Sequence, residues 1–298
     1  MSLCLSFSLP SFAKINWTLR ILGKRDDGFH ELRTVFQTIS LHDTLLFEES
    51  DSLELTCDDP DVPTDDQNLI VRAARSLQDA SGTLKGAQLH LEKQIPSPGG
   101  LGGGSSNAAV ALIGLKKLWQ IDISDDDLRT IACELGSDVP FFLHGGTAIG
   151  TGRGEMINPV DDADEPYMLV VTPDARVSTR DAFAGIGALN LTVEAQKRNL
   201  AVCRKDAESL DLRHRVLIND FEASVFDAHP EIRRVKASLL ELGAINAAMS
   251  GSGASVFAIF DKQETRQTAL KALDREINWR KFAVSTISRD KYREALWR

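Results

Sequence analysis

Cysteine is scarce in this chain, and the four present lie far apart. Cys4, Cys57, Cys133 and Cys203 form no C-x-x-C pair. Such spacing argues against a disulfide framework or a zinc ribbon and suits a reducing cytosol. The Asn-x-Thr sequons at Asn16 and Asn190 then read as chance matches. Long apolar runs are missing too; none nears the ~18 residues of a membrane span. The opening Met1-Ser-Leu-Cys-Leu-Ser-Phe-Ser-Leu lacks the basic lead and small-residue cleavage site of a signal peptide. Its alternation predicts a strand instead. Positive charge is in deficit: 34 basic residues face 43 acidic ones, a net −9. Nucleic-acid binding needs a basic footprint and is not expected. An anionic small ligand would need positive potential supplied locally. His42, His90, His144, His214 and His229 show no metal-ligand spacing and read as structural. Internal repeats and low-complexity tracts are absent.

What is present is an ordinary globular composition, 43% hydrophobic and 26% charged over 298 residues, enough for two domains. Alternation predicts strands over 3–9, 13–22, 33–40, 44–48 and 86–93. Leu69, Ile70, Ala73 and Leu77 share one face of a helix. A helix is predicted over 106–119. Ser124 and Asp127 form a capping box for another, with Gly136 as its C-cap. An acidic connector near 160–166 marks a boundary between domains 1–163 and 164–298. Beyond it, strands are predicted at 167–172, 244–249, 254–260 and 282–287, and helices at 219–227, 230–242 and 263–276. Strands and helices mix without regular βα alternation, so the fold class is α+β.

One stretch resists a purely structural reading. Between a strand and an apolar helix runs Pro96-Ser97-Pro98-Gly99-Gly100-Leu101-Gly102-Gly103-Gly104-Ser105-Ser106. A flexible linker has no reason to sit there. A glycine turn feeding a helix N-terminus is an anion site, because bare N–H groups and the helix dipole both face the ligand. Ser105 and Ser106 add hydroxyls for phosphate or Mg²⁺. Yet no lysine follows the glycines, as a P-loop requires. Nor does G-x-G-x-x-G fit: the third glycine falls on Ser105 or on Asn107.

The pattern that does match, P-x-x-x-G-L-G-x-x-S-S, resembles the second motif of the GHMP kinases. Pro10-Ser-Phe-Ala-Lys-Ile-Asn-Trp-Thr-Leu resembles the family's first motif, and Met249-Ser-Gly-Ser-Gly-Ala-Ser-Val-Phe-Ala its third. Ala13-Lys-Ile-Asn, Gly23-Lys-Arg-Asp-Asp-Gly-Phe-His-Glu-Leu and Gly136-Ser-Asp-Val-Pro-Phe are similar to one branch. That branch acts, in the non-mevalonate route to isoprenoids, on an alcohol carried by a cytidine diphosphate. The resemblance spans nearly the whole chain in order. It implies a two-lobed fold, with an N-terminal lobe like domain 2 of ribosomal protein S5 and a ferredoxin-like C-terminal lobe, and an active site between them. It also implies an ATP-dependent, cytoplasmic kinase using Mg²⁺, with metal ligands unassigned. Its partner is a small molecule bearing cytidine diphosphate, and no nucleic acid, membrane or obligate protein partner is expected.

The resemblance assigns roles residue by residue. Lys14 and Asp138 are catalytic. Asn68, the run from Pro96 to Ser106, and Gly251, Ser252 and Gly253 bind ATP. Asn16, Phe29, His30, Thr179 and Phe183 bind the other substrate, with the two phenylalanines on opposite faces of the cytosine. Without the family, Asp138 is equally an Asx-turn residue, and Lys14 reads as an edge lysine. Both phenylalanines would pass as core, although the polar Asp-Asp-Gly-Phe-His-Glu setting tells against this for Phe29. Another GHMP kinase, acting on a sugar, homoserine or mevalonate, is the nearer rival. A catalytically inactive nucleotide-binding module is the more distant one.

Overall fold

A computed structural model describes residues 6–186 and 217–297. The first residues of the opening strand, Cys4, Cys203, Asn190 and His214 lie outside that range. Elements are numbered over the described residues. β1 (Ser6–Lys24) and β2 (His30–Ser50) form a long antiparallel pair. The two strands expected in each segment are therefore one continuous strand. Register shifts near Phe12, Trp17 and Leu22 bend β1 without ending it. Pro10 did not break it either. Among the described residues its neighbour β8 (Ile218–Asn219) pairs with Thr18 and Leu19, and no strand flanks β1 on that side at Pro10, where proline is tolerated.

β3 (Leu53–Cys57), β4 (Gly86–Glu92), β5 (Thr147–Gly152) and β6 (Met156–Pro159) complete a first sheet of seven strands. β4 pairs with the second half of β2 and β5 with the first half. The α1 helix (Leu69–Ser81), α2 (Gly103–Trp119) and α3 (Asp125–Leu135) cover one face. Ser124 caps α3 as its sequence suggests: its hydroxyl accepts the Asp127 N–H at 3.1 Å. Gly136 is not a left-handed cap. Its φ is 170°, extended backbone open to any residue.

β7 (Met168–Pro173), β9 (Asn246–Met249), β10 (Val256–Ile259) and β11 (Trp279–Val284) form a second, antiparallel sheet in the order β11-β7-β10-β9. This is the ferredoxin-like order. α4 (Thr179–Gly185), α5 (Glu222–Ala228), α6 (Pro230–Glu241) and α7 (Gln263–Ala272) accompany it. The last helix, α8 (Arg289–Trp297), returns to the first sheet, where Tyr292 and Leu296 join the core. Short β3, β5 and β6 and helices α4 and α8 were not expected from the sequence. The helix expected over 219–227 begins instead as the two-residue β8.

Strand alternation in β1 sorts the site. Ala13, Ile15 and Trp17, all fully buried, point between the sheets onto Met168, Val170 and Phe257. The Trp17 and Phe257 rings meet edge to face at 5.4 Å. Phe12, Lys14 and Asn16 therefore fall on the opposite face.

Candidate active site

The three motifs, far apart in the chain, converge at Gly99, Gly100 and Leu101. The Lys14 N–H donates to the Leu101 carbonyl at 2.9 Å, and the Ser255 N–H to the Gly99 carbonyl at 3.1 Å. The Ser250 hydroxyl reaches the Gly100 carbonyl at 2.9 Å. Gly100 has φ +71°, and a Cβ there would overlap the Ser250 carbonyl oxygen. Gly251, at φ +56°, would place a Cβ 3.0 Å from the Gly100 carbonyl oxygen. At both positions the close contact between loops leaves no room for a side chain. Asn219 locks the third motif, donating to the Met249 and Gly251 carbonyls at 2.8 Å each.

Two further glycines of the loop, Gly103 and Gly104, also line the cleft. α2 starts at Gly103, a turn-length earlier than the sequence pattern implied, so both belong to its first turn. Gly102 precedes them at φ +71°, and no side chain caps the helix. The first-turn N–H groups of a 17-residue helix are thus presented with its positive dipole end. Ser105 lines the same cleft. Ser106 does not: it is fully buried, and its hydroxyl accepts from that of Ser11 at 2.8 Å. Its expected ligand role is replaced by fastening α2 to β1.

The Lys14 ammonium is buried and spends its three donors within one small space. It reaches Asn16 Oδ1 at 2.7 Å, the Gly100 carbonyl at 3.1 Å and Asp138 Oδ2 at 3.4 Å. Asn16 is oriented in turn by Thr34 at 2.6 Å. Asp138 precedes a single 3-10 turn, Val139–Leu143, and its side chain does not cap that turn. The Asx-turn reading therefore fails on geometry. Its carboxylate is one-third exposed and opens onto the cleft. Lys14, Asn16, Asp138 and every position from Pro96 to Ser105 line one cleft of about 770 Å³, with Gly251, Ser252 and Gly253.

Phe29, His30, Thr179 and Phe183 line the same cleft. The ring in direct contact with Phe183 is that of His30. His30 stacks on Phe183 at 4.6 Å and 16°, and Phe221 meets Phe183 edge-on at 4.8 Å. Phe29 is 53% exposed, with the Arg153 guanidinium 4.9 Å above its ring. The Phe183 ring is part core after all, packed onto the second lobe's cluster. Thr179 meets Ser252 at 3.1 Å, hydroxyl to hydroxyl. Asn68 stands apart from the cleft lining. Its side chain caps α1, accepting the Ile70 N–H at 2.9 Å, and its neighbour Leu69 lines the cleft instead.

Burial, and secondarily the nearby Lys24, push the His30 imidazole below its ordinary pKa of 6.5. The unfolded chain therefore takes up this proton first as pH falls. The neutral ring's contribution to stability is complete above pH 6.5 and is lost on acidification through the depressed folded value. Thermal melts at pH 7.5 and 5.5 are expected to show a smaller acid loss in His30→Gln than in the parent. An equal loss in both would assign the acid sensitivity elsewhere.

Arg153 and Asn219 were missed at the sequence level. Arg153 had a signal: it stands between Gly152 and Gly154, both at positive φ, in Thr-Gly-Arg-Gly-Glu. Asn219 had none, since its partners are carbonyls 30 residues on.

Residues 68–146 match the family model of the GHMP kinases N terminal domain, and residues 201–278 that of the GHMP kinases C terminal domain. A 4-diphosphocytidyl-2-C-methyl-D-erythritol kinase of Solibacter usitatus is 40% identical, over 97% of this chain and 91% of its own. One of Chlorobium luteolum is 39% identical, over 91% of this chain and 93% of its own. Among solved structures, a 4-(cytidine 5'-diphospho)-2C-methyl-D-erythritol kinase superposes with a TM-score of 0.76 at 32% identity, over 94% of this chain and 99% of that one. A mevalonate kinase, 15% identical with a TM-score of 0.69, shares the fold. With both halves of the family model matched, and relatives aligned along nine-tenths of its length, the chain belongs to the GHMP kinase family.

Proposed function

We propose that this protein is the ATP-dependent kinase that phosphorylates a hydroxyl of 4-diphosphocytidyl-2-C-methyl-D-erythritol, giving the 2-phosphate and ADP in the non-mevalonate route to isoprenoids. The observation that carries the reading is the meeting of Lys14 and Asp138, 3.4 Å apart, beside an uncapped helix N-terminus. The kinship with kinases of that name supports the substrate. In this reading the acceptor hydroxyl oxygen attacks the γ-phosphorus, the bond to the β–γ bridging oxygen breaks, and ADP leaves. Asp138 takes the hydroxyl proton. Lys14, oriented by Asn16 and Gly100, stabilises the charge on the transferring group. Gly103, Gly104 and Ser105 hold phosphate oxygens.

Among the described residues no three His, Cys, Asp or Glu side chains gather into a metal cage. The oxygens that the cleft does offer, from Ser105 and Asp138, are of the kind Mg²⁺ takes alongside substrate phosphates. The Ser105 hydroxyl, alone of the serine pair in the cleft, is the protein ligand we assign to it. Bound there, the ion would neutralise phosphate charge. We take 1–163 and 164–298 as the two lobes, with β8 and α8 crossing back to the first sheet. No helix among the described residues is long and apolar enough to cross a membrane, and we place the enzyme in the cytoplasm.

An ADP-release assay against a panel of alcohols tests the reading. Turnover is expected with the cytidylylated methylerythritol and not with homoserine, mevalonate or a free sugar. Turnover with one of those instead would move the protein to another branch. The two phenylalanines should separate in the same assay. Phe183→Ala removes the partner of the His30 stack and is expected to raise the cytidylyl substrate's KM about tenfold to a hundredfold, the worth of one base–aromatic stack. Phe29→Ala should do so less, because that ring is half exposed. Equal rises in the KM of ATP would point to disturbed packing.

A further inference from the structure

The Lys14–Asp138 contact joins two elements with no direct covalent continuity, β1 and the 3-10 turn at Val139–Leu143. Something must set their spacing. α8, beyond the end of the family-model match at residue 278, supplies a candidate. Tyr292 on that helix is almost wholly buried. Its ring meets Phe12, two residues before Lys14, at 5.7 Å between centroids. It also lies against Gly145, just past the turn, so closely that any Cβ there would overlap the ring. Gly145 is itself tied into the turn, its N–H donating to the Phe141 carbonyl at 2.9 Å. The Tyr292 hydroxyl donates to the Phe142 carbonyl at 2.5 Å. The Phe142 ring edge and the Lys14 stem both crowd Gly102: a Cβ there would stand 2.9 Å from the first and 3.0 Å from the second. Burial raises the phenol's pKa far above its usual range, so the hydroxyl stays protonated and keeps the proton it donates to Phe142.

We propose that Tyr292 is a positioning residue for phosphoryl transfer, wedged between the strand carrying Lys14 and the turn carrying Asp138 and setting their separation. The last helix thereby belongs to the catalytic apparatus without touching substrate. Arg289, at the start of α8, anchors the wedge: its guanidinium donates to the Thr147 and Val160 carbonyls at 2.7 and 2.9 Å, and its N–H to Asp162 at 2.7 Å. The inference rests on the catalytic reading of Lys14 and Asp138 given above. Displacement of a reacting group by about 1 Å costs on the order of a hundredfold in rate, so a small loss of spacing should be visible.

The test is a kinetic cycle on the full chain, with single-turnover rates and thermal melts. Tyr292→Phe keeps the ring and removes one hydrogen bond. It is expected to lower kcat about tenfold, with the KM of both substrates within about twofold of wild type. Phe12→Leu loosens the wedge's contact with β1 and should give the same signature, which keeps the inference testable should either variant fold poorly. The decisive arm is the Asp138→Asn background, where Tyr292→Phe should slow the residual reaction no further. Unchanged kcat in both variants, a rise in KM at constant kcat, or full additivity with Asp138→Asn would each overturn the positioning role. Should Asp138→Asn itself turn over at the wild-type rate, the catalytic reading would fall instead, and the two failures are thus told apart.

Discussion

Asp138→Asn is expected to transfer phosphate at least ~100-fold more slowly while binding ATP and the cytidylyl substrate almost normally. The substitution is nearly isosteric. The carboxylate caps no turn, and an amide oxygen in its place can still accept from the buried Lys14 ammonium. What the amide cannot do is accept the hydroxyl's proton. Lys14→Ala should slow the reaction comparably, but not as cleanly. Its ammonium also holds the Gly100 carbonyl and Asn16, both in the buried part of the site. Leaving such groups unpaired costs about 1–3 kcal/mol each. Some loss of ATP affinity and of melting temperature should therefore accompany the loss of rate, and Lys14→Met, which keeps the packing, should reduce only the packing share of it. The double variant should be little slower than the worse single, because both groups serve one hydroxyl. Single-turnover measurement is the appropriate check, since it isolates the chemical step. A wild-type rate in Asp138→Asn would leave catalysis to Lys14 and the phosphate loop alone.

Gly104→Val should weaken ATP binding by roughly 10- to 100-fold, the worth of one or two charge-assisted hydrogen bonds. The glycines of this loop are not equivalent, and the geometry selects this one. A Cβ at Gly104 would meet only Leu69 Cδ1, at 3.8 Å, so the branched side chain fits the folded protein and projects into the cleft. Gly103 is a poorer choice, because a Cβ there would press on Ile95 Cγ2 at 3.1 Å and Lys93 Nζ at 3.3 Å. Gly100 is poorer still, and its replacement should unseat the loop. Replacing glycine in a helical turn also favours the helix intrinsically. Gly104→Val is therefore expected to melt at or above the wild-type temperature while ATP affinity falls, as read by calorimetric titration. Unchanged affinity would remove the phosphate cradle from α2.

The order of these effects reflects how the site is assembled. β1 delivers Lys14 and Asn16 to one face and the inter-lobe core to the other, simply by alternation. The second motif contributes a helix N-terminus, and the third braces it from the other lobe through Ser250 and Ser255. Loss of a brace should therefore act through the loop, whereas loss of Asp138 should act on chemistry only.

The sequence by itself determined the α+β class, the glycine turn at a helix N-terminus, the capping of α3 by Ser124, and three motifs whose order names a family. These are local properties: period, cap and turn chemistry are written within a few residues. The alternation of β1 already separated Lys14 from Ala13 and Ile15. Tertiary structure alone decided the rest. It showed that Gly100 and Gly251 serve contact between loops while Gly104 faces open space, a distinction that depends on neighbours 150 residues away. It sent Ser106 to Ser11 rather than to the cleft, because the pitch of α2 turns adjacent serines about 100° apart. Asn68 became the cap of α1, since a side chain bonded to its own helix start cannot also reach the cleft. Phe183 was given to His30, and Phe29 to Arg153, since ring pairing depends on where β2 and α4 dock. Tyr292 was invisible in the sequence for the same reason. Its contacts at Phe12 and Phe142 lie 280 and 150 residues upstream, and no period in α8 encodes them.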